Sequence, residues 1–111
     1  MTEQHTIRLT RGDSWANLKV RWRDSDGEPV PLASARLQVR PRVSSPTVLL
    51  SMTTDDDLTI VTGDYVVPSL TAEQTEDLTS GWYDLEVTST AGQVKTLIAG
   101  RFIVDKDVTR D

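Results

Sequence analysis

Apolar residues recur at every second position along this chain, in short runs separated by aspartate, serine, glycine and proline. Leu18, Val20 and Trp22 alternate with Lys19, Arg21 and Arg23. Ala35, Leu37 and Val39 alternate with Arg36, Gln38 and Arg40, and Tyr83, Leu85 and Val87 with Trp82, Asp84 and Glu86. A period of two sends successive side chains to opposite faces of an extended strand, so each run has one buried and one wetted face. Many such runs at short spacing specify an all-β protein.

The turn residues divide the chain into strands and predict an Ig-like antiparallel β-sandwich. A first extended piece covers 6–9, and a long strand is expected over 15–23. Asp24-Ser25-Asp26-Gly27 reads as a turn, because Asp and Ser cap neighbouring backbone and Gly accepts positive φ. Pro29 and Pro31 cannot donate to a ladder, so the chain there lies at a sheet edge or crosses over. Further strands are expected over 48–52, 58–61 and 65–67. A closing hairpin over 82–87 and 94–104 turns at Ser89-Thr90-Ala91-Gly92, with Gly100 as a bulge or bend in its return strand. One segment breaks the period. Thr71 followed by Gln74 is a capping-box pattern, which predicts one short helix with Leu70 and Leu78 on one side and Gly81 as its stop. The 111 residues make a single domain over 1–111, with flexible ends at 1–5 and 106–111.

Composition removes several functions. The chain has no cysteine, hence no disulfide framework, thiolate metal site or cysteine nucleophile. A formal net charge of −5, with no basic stretch against it, argues against a nucleic-acid partner. No apolar run approaches the ~20 residues of a membrane-spanning helix. Met1-Thr2-Glu3-Gln4-His5 lacks the basic and apolar regions of a signal peptide, so the chain reads as cytoplasmic in synthesis.

Chemistry-bearing residues are sparse. His5 is the single histidine and has no evident orienting partner, and no Gly-x-Ser-x-Gly elbow accompanies it. Asp24, Asp26 and Gly27 resemble the start of a calcium loop, but the twelfth position is Ala35 rather than glutamate. Asp55, Asp56 and Asp57, with Asp64 across a turn, form an acidic loop that suits either solvent or a weakly held hard cation. Arg11-Gly12-Asp13 spells a receptor tripeptide that a capped turn explains as well. No catalytic residue, cofactor or metal ligand is assigned, and the chain reads as a non-enzyme.

What remains is surface. Arg36, Arg40 and Arg42, with Arg21 and Arg23, form basic rows on outer strand faces, suited to an acidic partner or to blocking edge association. Trp22 falls in phase with the core. Trp82 falls out of phase with Tyr83 and Leu85, so it faces outward as an interface anchor. The candidate interface residues are therefore Trp82, Arg36, Arg40 and Arg42.

The order of the turn and core signals is similar to that of small β-sandwich virion proteins of tailed bacteriophages, including the amino-terminal domains of baseplate upper proteins. The matching run starts at Arg11-Gly12-Asp13. It continues through Asp26-Gly27-Glu28-Pro29-Val30-Pro31-Leu32, which resembles a "DG-x-P-V-x-L" turn, and Leu78-Thr79-Ser80-Gly81-Trp82-Tyr83-Asp84-Leu85, which resembles an "L-x-x-G-x-Y-x-L" strand opening. Gly92-Gln93-Val94, Thr96-Leu97, Gly100-Arg101-Phe102-Ile103-Val104 and Val108-Thr109-Arg110 complete it, while residues 43–64 match little. The resemblance implies a virion structural protein of the tail, baseplate or fibre adaptor. Its partners would be other virion proteins and further copies of itself, with no nucleic acid or membrane. A capsid decoration protein is a variant of that expectation. A carbohydrate- or cell-surface-binding module is the alternative from another class, and it requires Trp15 or Trp82 exposed beside Asp13 or Asp84.

Overall fold

The computed structural model describes residues 3–16, 18–54, 57–61 and 65–106. Its strands are β1 (Glu3–Gln4), β2 (Ile7–Thr10), β3 (Val20–Arg21), β4 (Leu32–Arg40), β5 (Leu50–Thr54), β6 (Asp57–Val61), β7 (Tyr65–Pro68), β8 (Gly81–Ser89) and β9 (Val94–Asp105), with helix α1 (Ala72–Thr75) between β7 and β8. The protein is all-β with one short helix. Its alternating apolar positions turn inward as their period requires. Leu37, Met52, Val66, Leu85 and Val87 are fully buried, and Val39, Phe102, Leu58 and Leu70 almost so, in one cluster. Leu18 and Trp22 pack half-buried against it.

Hydrogen bonding links the strands in the order β1-β9-β8-β4-β5-β6-β7-β3, with β2 also on β9. The pairs β3/β7, β4/β5, β4/β8, β6/β7 and β8/β9 are antiparallel, as expected. Two features depart from a purely antiparallel arrangement. β1 and β2 run parallel to β9, because the amino-terminal segment covers the outer edge that the long last strand exposes. β5 and β6 meet in parallel through Thr53↔Asp57 and Thr54↔Leu58, which joins the two halves into one mixed, curled sheet.

Three local expectations are corrected. The alternation over 15–23 is not one continuous strand: only Val20–Arg21 joins a ladder, flanked by isolated bridges Trp15↔Leu70 and Arg23↔Pro29. Alternation reports which face is buried, and over 18–23 that much holds, since Val20 is buried with Leu18 and Trp22 half-buried while Lys19 and Arg23 are exposed; buried Trp15 is out of that phase. Asn17 lies outside the described residues. Gly100 is not the bulge. β9 stays in register with β8 there, and the slip lies between Leu85 and Glu86 on β8, opposite Leu97. Leu97 and Ile98 are consequently both buried. Gly100 is required for a different reason, because a Cβ at this position would be driven into the carbonyl of His5, where the chain passes from β1 to β2.

The helix forms at the capping box and stops early. Thr71 Oγ1 accepts the Gln74 backbone N–H at 3.2 Å, and Gln74 Oε1 accepts the Thr71 N–H at 2.7 Å. Glu76, not Gly81, is its C-cap. Gly81 instead opens β8, where a Cβ would meet the Arg40 carbonyl.

Thr75 ties this helix to the turn after β2. Its buried hydroxyl donates toward the Asp13 and Ala72 carbonyls at 2.9 and 3.0 Å and accepts the Gly12 N–H at 2.9 Å. Arg11 Nη2 donates to the Leu78 carbonyl at 3.0 Å. The Arg11-Gly12-Asp13 turn is thus held from within the fold. A second tie reinforces the same end of β2, where Arg8 Nε and Nη2 donate to Asp105 Oδ2 and Oδ1 at 2.7 and 3.1 Å, beside the Thr10↔Asp105 pair.

Thr75→Val retains the shape but strands the Gly12 and Asp13 backbone groups, and should lower unfolding stability by about 1–3 kcal/mol in urea titration. Gly100→Ala should cost more than about 1 kcal/mol by the same measurement, through displacement of His5. The Arg8 hydrogen bond, opposed by desolvation and helped by the guanidinium charge, holds the Asp105 carboxyl below its ordinary value of 3.8. A lowered folded-state value means that the ionised form stabilises the fold above the unfolded-state value, and that this is lost as pH falls through the folded one. Wild type should therefore exceed Asp105→Asn in stability at neutral pH. The two should converge on acidification below 3.8, and the neutral-pH difference should shrink in high salt.

Candidate functional site

Since the inward positions of β4 and β8 fill the core, their outward positions compose a second surface. Arg36, Gln38 and Arg40 alternate along β4, and Glu86, Asp84 and Trp82 along β8. The antiparallel register sets them side by side, as Arg36↔Glu86, Gln38↔Asp84 and Arg40↔Trp82. Thr96, Ala99 and Gly100 of β9 and Gln4 of β1 continue the face. The whole encloses an open concavity of about 510 Å³ that Val43 also lines.

Each charged group here has a definite setting. Arg40 is half-buried, and its Nη2 donates to Gln38 Oε1 at 2.8 Å while its Nη1 donates to the Ser45 carbonyl at 3.3 Å. These bonds hold the guanidinium against the sheet and anchor the loop that follows β4. Arg36 Nη2 lies 3.5 Å from Glu86 Oε1, a loose pair between half-exposed side chains. Trp82 is 38% exposed, with the Arg101 guanidinium 5.6 Å from its ring centre. Beside it, Val43 is 77% exposed. Tryptophan and arginine are side chains enriched at protein contacts, whereas valine is not.

The structure brings three of the four candidate residues together. Trp82, Arg36 and Arg40 share this face, while Arg42 lies in the exposed turn beyond β4 and does not line the concavity. Gln38 belongs to the same site, and the period of β4 already placed it in phase with Arg36 and Arg40. Val43 and Gln4 carried no such signal, since their positions follow from a loop and from parallel pairing with β9.

The remaining candidates are used structurally. His5 contributes backbone, its N–H donating to the Ala99 carbonyl at 3.0 Å and its carbonyl accepting the Tyr83 hydroxyl at 2.7 Å. Asp24 Oδ1 accepts the Asp26 and Glu28 N–H groups at 2.9 and 3.0 Å, which makes this segment the expected turn. The Asp57 carboxylate accepts both bonds of the Gln74 amide, at 3.0 and 3.1 Å. Asp55, Asp56 and Asp64 lie outside the described residues. Among the described residues, no group of three or more His, Cys, Asp or Glu is arranged to hold a metal ion. Trp15 is 6% exposed, so it is a core residue and not a surface ring. No family model matches the chain, and no curated protein matches it.

Proposed function

We propose that this chain is a structural protein of a tailed-bacteriophage virion, a tail, baseplate or fibre-adaptor component that acts through protein–protein contacts. The observation that carries the reading is the outward face of β4 and β8, where Trp82 and Val43 stand exposed among Arg36, Arg40 and Arg101. Such a surface needs no catalytic group to function, and repeated in a symmetric assembly it supplies contact area and register. The turn and strand signals shared with small virion β-sandwich proteins support the same assignment. Gly27 adopts φ +80° in the turn of the "DG-x-P-V-x-L" run. Tyr83 of the "L-x-x-G-x-Y-x-L" run is buried and bonded to backbone upstream.

We read the fold more finely as an Ig-like sandwich. Strands β9, β8, β4 and β5 would form one layer and β6, β7 and β3 the other, with two β5/β6 pairs between them among the described residues. The short helix leading into β8 is consistent with that layout, while the Tyr83 hydroxyl bonds the distant His5 carbonyl and not backbone a few residues upstream. On this reading the protein resides in the virion after synthesis in the host cytoplasm, in contact with other virion proteins. A position on the capsid surface is a variant that differs only in the partner. A carbohydrate-binding role is a second reading, favoured by Trp82 standing beside Asp84 in the concavity.

Mass spectrometry of purified particles of the phage that encodes the chain should detect it in stoichiometric amount, and its absence would end the virion reading. Trp82→Ala should fold normally and reduce incorporation at least tenfold, since interface anchors of this type carry about 2 kcal/mol or more.

A further inference from the structure

We infer that the β4–β8 face binds a second copy of this chain, in an isologous dimer whose two-fold axis runs parallel to the strands above the line between β4 and β8. The inference rests on reading this face as a protein contact surface, and it names the partner. The register decides the geometry. Rotation about such an axis lays β4 of one copy over β8 of the other without changing height along the strands. Residues paired across the two strands then face each other between copies.

Arg36 would stand over Glu86, Gln38 over Asp84, and Arg40 over Trp82, each contact occurring twice. Opposite charges meet at the first position. At the second, the Gln38 amide N–H groups meet a carboxylate, since Gln38 Oε1 already accepts from Arg40. At the third, Arg40 meets an indole that already carries the Arg101 guanidinium 5.6 Å from its ring centre, so the cation–ring attraction there is offset by arginine against arginine. The flanking strands agree, because β9 falls over β5 and sets Thr96 over Thr53 and Ala99 over Ser51, which are small side chains that permit close approach. An axis at right angles to the strands gives the opposite result, with Arg36 over Arg40 and Asp84 over its own copy. Like charges reject that orientation.

The area suits a contact that forms at high concentration. The nine-residue strands β4 and β8 are about 30 Å long, and the four strands that overlap, β9, β8, β4 and β5, span about 19 Å, from ordinary strand rise and spacing. That is at most roughly 570 Å² per copy, at the low end for a specific interface.

The test is light scattering and sedimentation of the full chain, with two single charge reversals. Wild type should rise from 12.3 kDa to twice that mass as concentration increases from micromolar to millimolar. Arg36→Glu and Glu86→Arg each place like charges together twice, and each should weaken self-association at least tenfold while leaving the circular dichroism spectrum unchanged. Mixing these two single variants should restore association as a heterodimer. The carboxylate introduced at position 36 of one copy then faces the guanidinium introduced at position 86 of the other, and the unaltered Glu86 and Arg36 face each other at the second contact. The pairing within each copy stays mismatched, so recovery reports the contact between copies. A wild type that remains at 12.3 kDa to millimolar concentration overturns the inference, as does a mixture no more associated than its components. Neither result bears on detection in particles, so this inference and the virion reading fail separately.

Discussion

The structure depends on β8 being paired along both of its edges. β4 lies on one side and β9 on the other, and nearly every residue from Gly81 to Thr88 has a cross-strand partner on each. This double ladder sets the phase of three strands at once. Tyr83, Leu85 and Val87 must point inward together with Leu37, Val39 and Ile98, and Trp82, Asp84 and Glu86 must point outward together. A slip of one residue would bury two carboxylates and expose three core side chains, which no local adjustment could offset. The glycine at position 81 belongs to the same constraint, since the first residue of β8 packs against the Arg40 carbonyl.

Much of this was legible in the residues. Strict alternation identified the inward faces of β4 and β8, the outward placement of Trp82, and the companionship of Arg36 and Arg40. Thr71 and Gln74 identified the helix start through a purely local hydrogen-bond exchange. The parts that were not legible are those determined by distant partners. Val20 and Trp22 alternate well enough for a long strand, but a ladder needs a neighbouring backbone, and among the described residues β7 pairs with Val20 and Arg21 alone. Gly100 carries the mark of an irregular strand. Its cause is the His5 carbonyl, nearly a full chain length away. The slip at Leu97 had no glycine to announce it. Of the site, Gln38 and Asp84 follow from strand phase, whereas Val43 and Gln4 enter through a loop and a parallel pairing that no periodicity encodes.

The core and the outer face are two readings of the same strands. Alternate residues of β4 and β8 supply the apolar layer that stabilises the fold, and the residues between them supply a lattice of charges whose spacing the ladder dictates. On the proposed reading, function is distributed over that surface and not gathered at a point. The Arg11-Gly12-Asp13 turn illustrates the complementary case. A tripeptide that reads as a recognition signal is held by the Thr75 hydroxyl and the Leu78 carbonyl, and it serves to seat the helix on the end of the sheet.

The covering of β9 by the amino-terminal strands carries a consequence for crowded settings. β1 has only two residues, and its attachment relies on the backbone of His5 meeting Ala99 and the Tyr83 hydroxyl. If that short segment lifts away, the middle of β9 is left as a bare template of amide and carbonyl groups, open to the same segment from a neighbouring molecule. Wherever many copies meet at high local concentration, the rate at which this one strand peels sets how often a neighbour takes its place.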